Sequence, residues 1–95
     1  SRQMLKALYD PIRLEVIYAL AQGERCVCHL TGDLHLTQSQ LSFHLRVLRE
    51  AGLLTDRQSG RWIYYWLQPE ALAALEAWLA ELRRQCSQSA VLYPN

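Results

Sequence analysis

The chain has 95 residues, 51% of them apolar, with ten basic and nine acidic side chains and a net charge of +1. A chain of this length makes one compact domain, residues 1–95, that is marginal alone and gains by dimerising. No apolar run approaches the ~20 residues that cross a bilayer and no signal-peptide pattern opens the chain, so a cytoplasmic protein with no membrane partner is expected. Three cysteines are an odd number, which argues against a disulfide framework and for reduced thiols. The chain opens on Ser1 rather than Met, and an N-terminal arm ahead of it is expected.

The first element is a helix of about 12 residues, with Asp10 as N-cap and Pro11 at the first helical position, where its missing N–H costs nothing. Ile12, Val16, Ala19 and Leu20 recur at helical spacing until Gly23 ends the run. A short helix follows over about Cys26 to Leu34. Thr37 and Gln40 then form a capping-box pattern that starts a helix over about 38–51, with Gly52 as the left-handed residue after its end. Over 53–67 the period changes. Ser59-Gly60 reads as a turn, and Trp62, Ile63, Tyr64, Tyr65 and Trp66 favour a pleated surface, so a β-hairpin is expected. From 69 to 86 the helical period returns, with Leu72, Leu75, Leu79, Leu82 and Cys86 on one narrow seam. The tail "SQSAVLYPN" offers Val91, Leu92 and Tyr93 for docking on a partner.

Two short helices joined by a tight turn and followed by a hairpin predict a mainly α fold with a β-hairpin wing, the winged helix-turn-helix. Charge agrees: residues 38–64 carry a net +2, against 0 for residues 1–37 and −1 for residues 65–95. On the 38–51 helix, Leu41, His44, Leu45 and Leu48 cluster on one side, and Ser39, Gln40, Phe43, Arg46 and Glu50 lie largely opposite. An amide can pair with adenine, a guanidinium with guanine or phosphate, and an apolar group with the thymine methyl. The candidate DNA contacts are therefore Gln38, Ser39, Gln40, Ser42, Phe43, His44 and Arg46 from the helix. Arg57, Arg61 and Tyr64 from the wing complete the set, with the two arginines suited to phosphates. For Phe43 a groove contact is preferred to surface packing; for His44 a place at the core edge is preferred to a contact. No paired carboxylates, nucleophile–base motif or Gly-rich phosphate loop points to an enzyme.

"ERCVCHL", "LTQSQLSFHLRVLREAGLL" and "RQSGRWIYYWL", in this order, resemble the ArsR/SmtB family of bacterial metal- and metalloid-responsive repressors, over roughly Leu5 to Leu82. The resemblance implies a homodimer through the first and last helices, repression of a resistance operon on double-stranded operator DNA, and release when an inducer binds. In the arsenic-sensing branch a Cys-Val-Cys segment supplies the thiolates, here Cys26 and Cys28. No tightly bound cofactor is implied. The inducer would be trivalent arsenic or antimony, with a thiophilic divalent ion (cadmium, zinc or lead) as the alternative and thiol redox sensing behind it. Arsenic sensors of the form "CVCDLC" have a third cysteine where this chain has Thr31, and Asp where it has His29. Zinc-sensing members use Asp and His on the last helix, and residues 69–86 contain neither.

Trivalent arsenic takes three soft thiolates. Residues i and i+2 of a helix are about 200° apart and cannot share one ion, whereas an extended segment points both to one side. Binding through Cys26 and Cys28 therefore requires this helix to begin non-helically or to unwind. Arg25 and the helix N-terminus should favour the thiolate. Cys86, in register with the leucine seam, reads first as a buried structural cysteine and second as a third ligand. His29, a small exogenous thiol and a cysteine on a preceding arm are the other candidates.

Overall fold

The computed structural model describes residues 2–87 and residue 90. In chain order it contains α1 (Arg2–Leu8), α2 (Pro11–Leu20), β1 (Arg25–Cys26), α3 (Val27–Leu34), α4 (Gln38–Glu50), β2 (Leu54–Ser59), β3 (Trp62–Leu67) and α5 (Pro69–Cys86). The strands form one antiparallel sheet in the order β1-β3-β2. This is a winged helix-turn-helix, with α3 and α4 as the helix pair and β2–β3 as the wing.

Local chemistry sets the boundaries. The Asp10 carboxylate accepts from the Ile12 and Arg13 amides at 2.8 and 3.0 Å, ahead of Pro11. Those amides hold the Asp10 carboxyl below its ordinary pKa, the Arg13 N–H contributing most and burial opposing. Thr37 and Gln40 close the capping box in both directions. The α3–α4 turn is made by His35 in the left-handed region, at φ 54° and ψ 42°. Gly60, at φ 62°, is the first central residue of a two-residue turn between Ser59 and Trp62. With Arg61 second at ordinary φ, this is the Gly-first type II′ geometry that matches strand twist. The turn is thus Gly60-Arg61, one residue later than Ser59-Gly60.

The core is the buried set Val16, Leu20, Leu30, Leu41, Leu45, Leu48, Leu53 and Leu54, closed by Tyr65, Ala71 and Leu75. Burial raises the Tyr65 phenol pKa. Two elements escaped the pattern reading: α1, a seven-residue helix ahead of the Asp10 cap, and β1, whose two residues are too few to alternate. α5 keeps Ala71 and Leu75 inside and leaves Leu72, Trp78, Leu79 and Leu82 exposed, so most of its seam is uncovered among the described residues. Cys86, expected to be buried on that seam, is exposed at the helix end. The docking assigned to Val91, Leu92 and Tyr93 lies outside the described residues. No described helix is long and apolar enough to cross a membrane.

Candidate functional site

The cysteine pair sits where a strand becomes a helix. Cys26 is extended, at φ −73° and ψ 141°, pairs with Tyr64 of β3, and caps α3 by accepting from the Cys28 amide at 3.2 Å. Only after it does the chain turn helical. The junction therefore puts both side chains on one side, as an all-helical segment could not. The start of α3 is already non-helical and no unwinding is needed to bring the sulfurs together.

The sulfurs are in fact joined as a disulfide, with Cα atoms 5.2 Å apart, inside the separation such a bond spans. The expectation of three reduced thiols is corrected for this pair: the junction, not the cysteine count, sets its proximity. Cys86 is the free cysteine. Cys26 is only 3% exposed and Cys28 faces solvent. Among the described residues no group of three His, Cys, Asp or Glu side chains is gathered to hold a metal, so Cys86 and His29 are not brought to the pair within one chain. Arg25 does not serve Cys26 either. Its guanidinium reaches Asp33 at 3.6 Å, because neighbouring strand residues point to opposite faces. Its Nε is buried without a partner among the described residues.

The pair opens into a cleft of about 370 Å³ walled by Val27, Thr31, Gln38, Arg61, Trp62 and Ile63. The first residue of α4 and the start of β3 therefore border the thiols directly. Sequence reasoning missed Trp62 and Ile63 as part of this site, since β1 was the missing link between thiols and wing.

On α4, Gln38, Ser39, Ser42 and Arg46 are exposed. Three other candidates are engaged elsewhere. Gln40 spends its Oε1 on the Thr37 N–H and hydroxyl, at 3.0 and 3.2 Å. With Oε1 so engaged, Gln40 has its amide N–H groups left to offer a base. His44 is 9% exposed, and Arg13 donates to its Nδ1 at 3.1 Å. A guanidinium has only donors, so the ring carries its proton on Nε2. Arg13 also donates to the Ala7 carbonyl, which ties α1, α2 and α4 together and removes His44 from the reading face. Phe43 is half exposed, edge-on to His44 with centroids 5.2 Å apart, and borders a groove with Gln3 and Lys6 of α1. Half of the ring thus remains open to solvent beside α1.

The wing arginines differ. Arg57 Nε and Nη2 donate to the Glu24 carboxylate at 2.9 and 2.8 Å, and its guanidinium lies over the Tyr64 ring, 4.7 Å from the centroid. The ion pair lowers the Glu24 pKa and raises that of Arg57, the side-chain hydrogen bonds contributing most to each. Arg61 stacks on Trp62 at 5.2 Å and forms no ion pair among the described residues. Arg49 pairs with Asp56 at 3.3 Å. Among the described residues, Arg46 and Arg61 of this face form no ion pair, one from the helix and one from the turn.

Comparison with known proteins agrees with this architecture. The family profile "Bacterial regulatory protein, arsR family" matches residues 10–56. The chain is 47% identical over 74 residues to the arsenical resistance operon repressor of Bacillus subtilis (strain 168), which covers 77% of this chain and 70% of that protein. Across three curated arsenic-resistance regulators that it matches, the chain spans 60 to 70% of their length. Among solved structures, an ArsR family transcriptional regulator, RHA00566, superposes with a TM-score of 0.85 at 26% identity, covering 94% of this chain and 92% of that one. The homodimeric winged helix-turn-helix DNA-binding domain Mb0332 of Mycobacterium bovis gives 0.72 at 27% identity, covering 98% and 86%.

Proposed function

The chain belongs to the arsR family of bacterial regulatory proteins, and from that premise we propose that it is a transcriptional repressor of an arsenic or antimony resistance operon. It binds operator DNA as a homodimer and is released when arsenite or antimonite binds the thiolates of Cys26 and Cys28. The reading rests on one observation above the rest: two sulfurs converge in a cleft whose other walls are Gln38 of the reading helix and Arg61, Trp62 and Ile63 of the wing.

In the cytoplasm, where small thiols keep cysteines reduced, the pair works as a dithiol. Soft thiolates select a soft ion. An ion seated between the sulfurs separates them, and Cys26 carries β1 with it. β1 is hydrogen-bonded to β3, so the movement reaches the wing through the sheet as well as α4 through α3. The two reading heads of a dimer must meet half-sites about one helical turn, ~34 to 36 Å, apart, and a small change of presentation costs affinity. The chain acts by binding and needs no catalytic group. α5, rich in exposed leucines, supplies surface for the second subunit. It holds neither His nor Asp, which favours the thiol site over a divalent-metal site on that helix.

The test uses phosphine-reduced protein and a fluorescent duplex selected by the wild type from a random pool. Sodium arsenite should weaken wild-type binding. The Cys26→Ser, Cys28→Ser double variant should bind the duplex and ignore arsenite. Release of the double variant like wild type would overturn the proposal.

A further inference from the structure

Arg57 and Cys26 occupy one cross-strand row. Cys26 pairs with Tyr64, and Tyr64 pairs with Arg57, so the three side chains lie side by side on one face of the sheet. Glu24 stands two residues before Cys26 and grips Arg57 through Nε and Nη2, while the Tyr64 ring supports the guanidinium from below. Two of the three nitrogens are committed and the plane is held, and Nη1 has no hydrogen-bond partner among the described residues. A guanidinium held by its edge and its face has lost the freedom that usually makes surface arginine contacts weak.

We propose that Glu24 is a positioning residue: it holds Arg57 ready for a backbone phosphate of the operator and transmits inducer binding from Cys26 to that contact. This inference rests on the proposed function above. The link is short. Arsenic binding shifts Cys26; Glu24, two residues away on the same run of backbone, shifts with it; Arg57 loses its carboxylate grip and its aim at the phosphate. Arsenite binding exchanges two arsenic-bound hydroxyls for the sulfurs of Cys26 and Cys28, the two thiol protons leaving with the hydroxyls as water, and arsenic stays trivalent throughout.

The experiment compares wild type with Glu24→Gln, Arg57→Ala and the double variant on the same duplex, across salt, with and without sodium arsenite. Near-ultraviolet absorbance monitors thiolate–arsenic binding in each. Arg57→Ala should weaken binding about tenfold and lower the salt slope by about 0.9, as loss of one phosphate contact does. Glu24→Gln should move affinity towards the Arg57→Ala value, add nothing in the double variant, and cut the arsenite-induced loss of affinity about fivefold. The absorbance band should be unchanged, a combination that a merely structural role would not produce. Tighter DNA binding by Glu24→Gln would show that Glu24 competes with phosphate and would overturn the inference. So would wild-type affinity and wild-type arsenite response in that variant. If wild type itself ignores arsenite, the repressor reading falls and takes this inference with it; a normal wild-type response with an inert Glu24→Gln sinks this inference alone.

Discussion

α4 and α5 carry leucines at the same helical spacing, and the two sets meet opposite fates. Leu41, Leu45 and Leu48 are covered by α2, α3 and the sheet, whereas Leu79 is 57% exposed and Leu72 and Leu82 are also open. The difference teaches that periodicity reports an apolar face and not what covers it. In α4 the cover comes from the same chain; in α5 past Leu75 the described residues supply little of it, and a second copy is the proposed source.

The comparison can be broken at either helix. The largest effect is expected at α4: Leu48→Ala, at a fully buried position, should cost about 2–5 kcal/mol of unfolding free energy in a urea titration. A loss near zero would show that the site is not packed as described. At α5, Leu79→Glu should leave the far-ultraviolet circular dichroism intact and convert the proposed dimer to monomer in sedimentation, with operator binding reduced. A dimer that survives would place the interface elsewhere.

Smaller effects sharpen the picture at the ends of the covered helices. Asp10→Ala should cost about 1 kcal/mol by removing the α2 cap. The Asp10 carboxyl titrates lower in the folded chain than in the unfolded one, so its contribution is complete above about pH 3.8 and is lost as pH falls through the depressed folded value. Asp10→Asn keeps an acceptor and should flatten that acid dependence, which urea titrations at pH 3 and pH 6 would reveal. His35→Gly should stabilise by up to about 1 kcal/mol, because glycine carries no penalty in the left-handed turn. A destabilised His35→Gly would mean that the side chain, not the backbone, holds the turn.

Much of the fold was legible. The Asp10-Pro11 start, the Thr37–Gln40 box, the aromatic β3 strand and the Pro69–Cys86 helix are each marked by local residue chemistry, and the structure has them within a residue or two. α1 and β1 were not, since seven and two residues give too little period to read. Missing β1 had consequences for the site. It hid why Cys26 and Cys28 converge, and it hid Trp62 and Ile63 as their neighbours. The Glu24–Arg57 pair, 33 positions apart, and the Arg13–His44 contact, 31 apart, exist only once the sheet and helices are assembled. Residue type alone likewise could not divide Arg57, clamped, from Arg61, unpaired among the described residues.

The cysteines show the same contrast as the helices: Cys26 and Cys28 meet at a change of backbone, and Cys86 stands apart at the end of an uncovered seam. The most direct test is near-ultraviolet absorbance of the phosphine-reduced protein during a sodium arsenite titration, for wild type, Cys86→Ser and the Cys26→Ser, Cys28→Ser double variant. The account predicts a thiolate–arsenic band that saturates at one equivalent per subunit in wild type and in Cys86→Ser and is lost in the double variant. A band that needs Cys86, or that survives without Cys26 and Cys28, would contradict it.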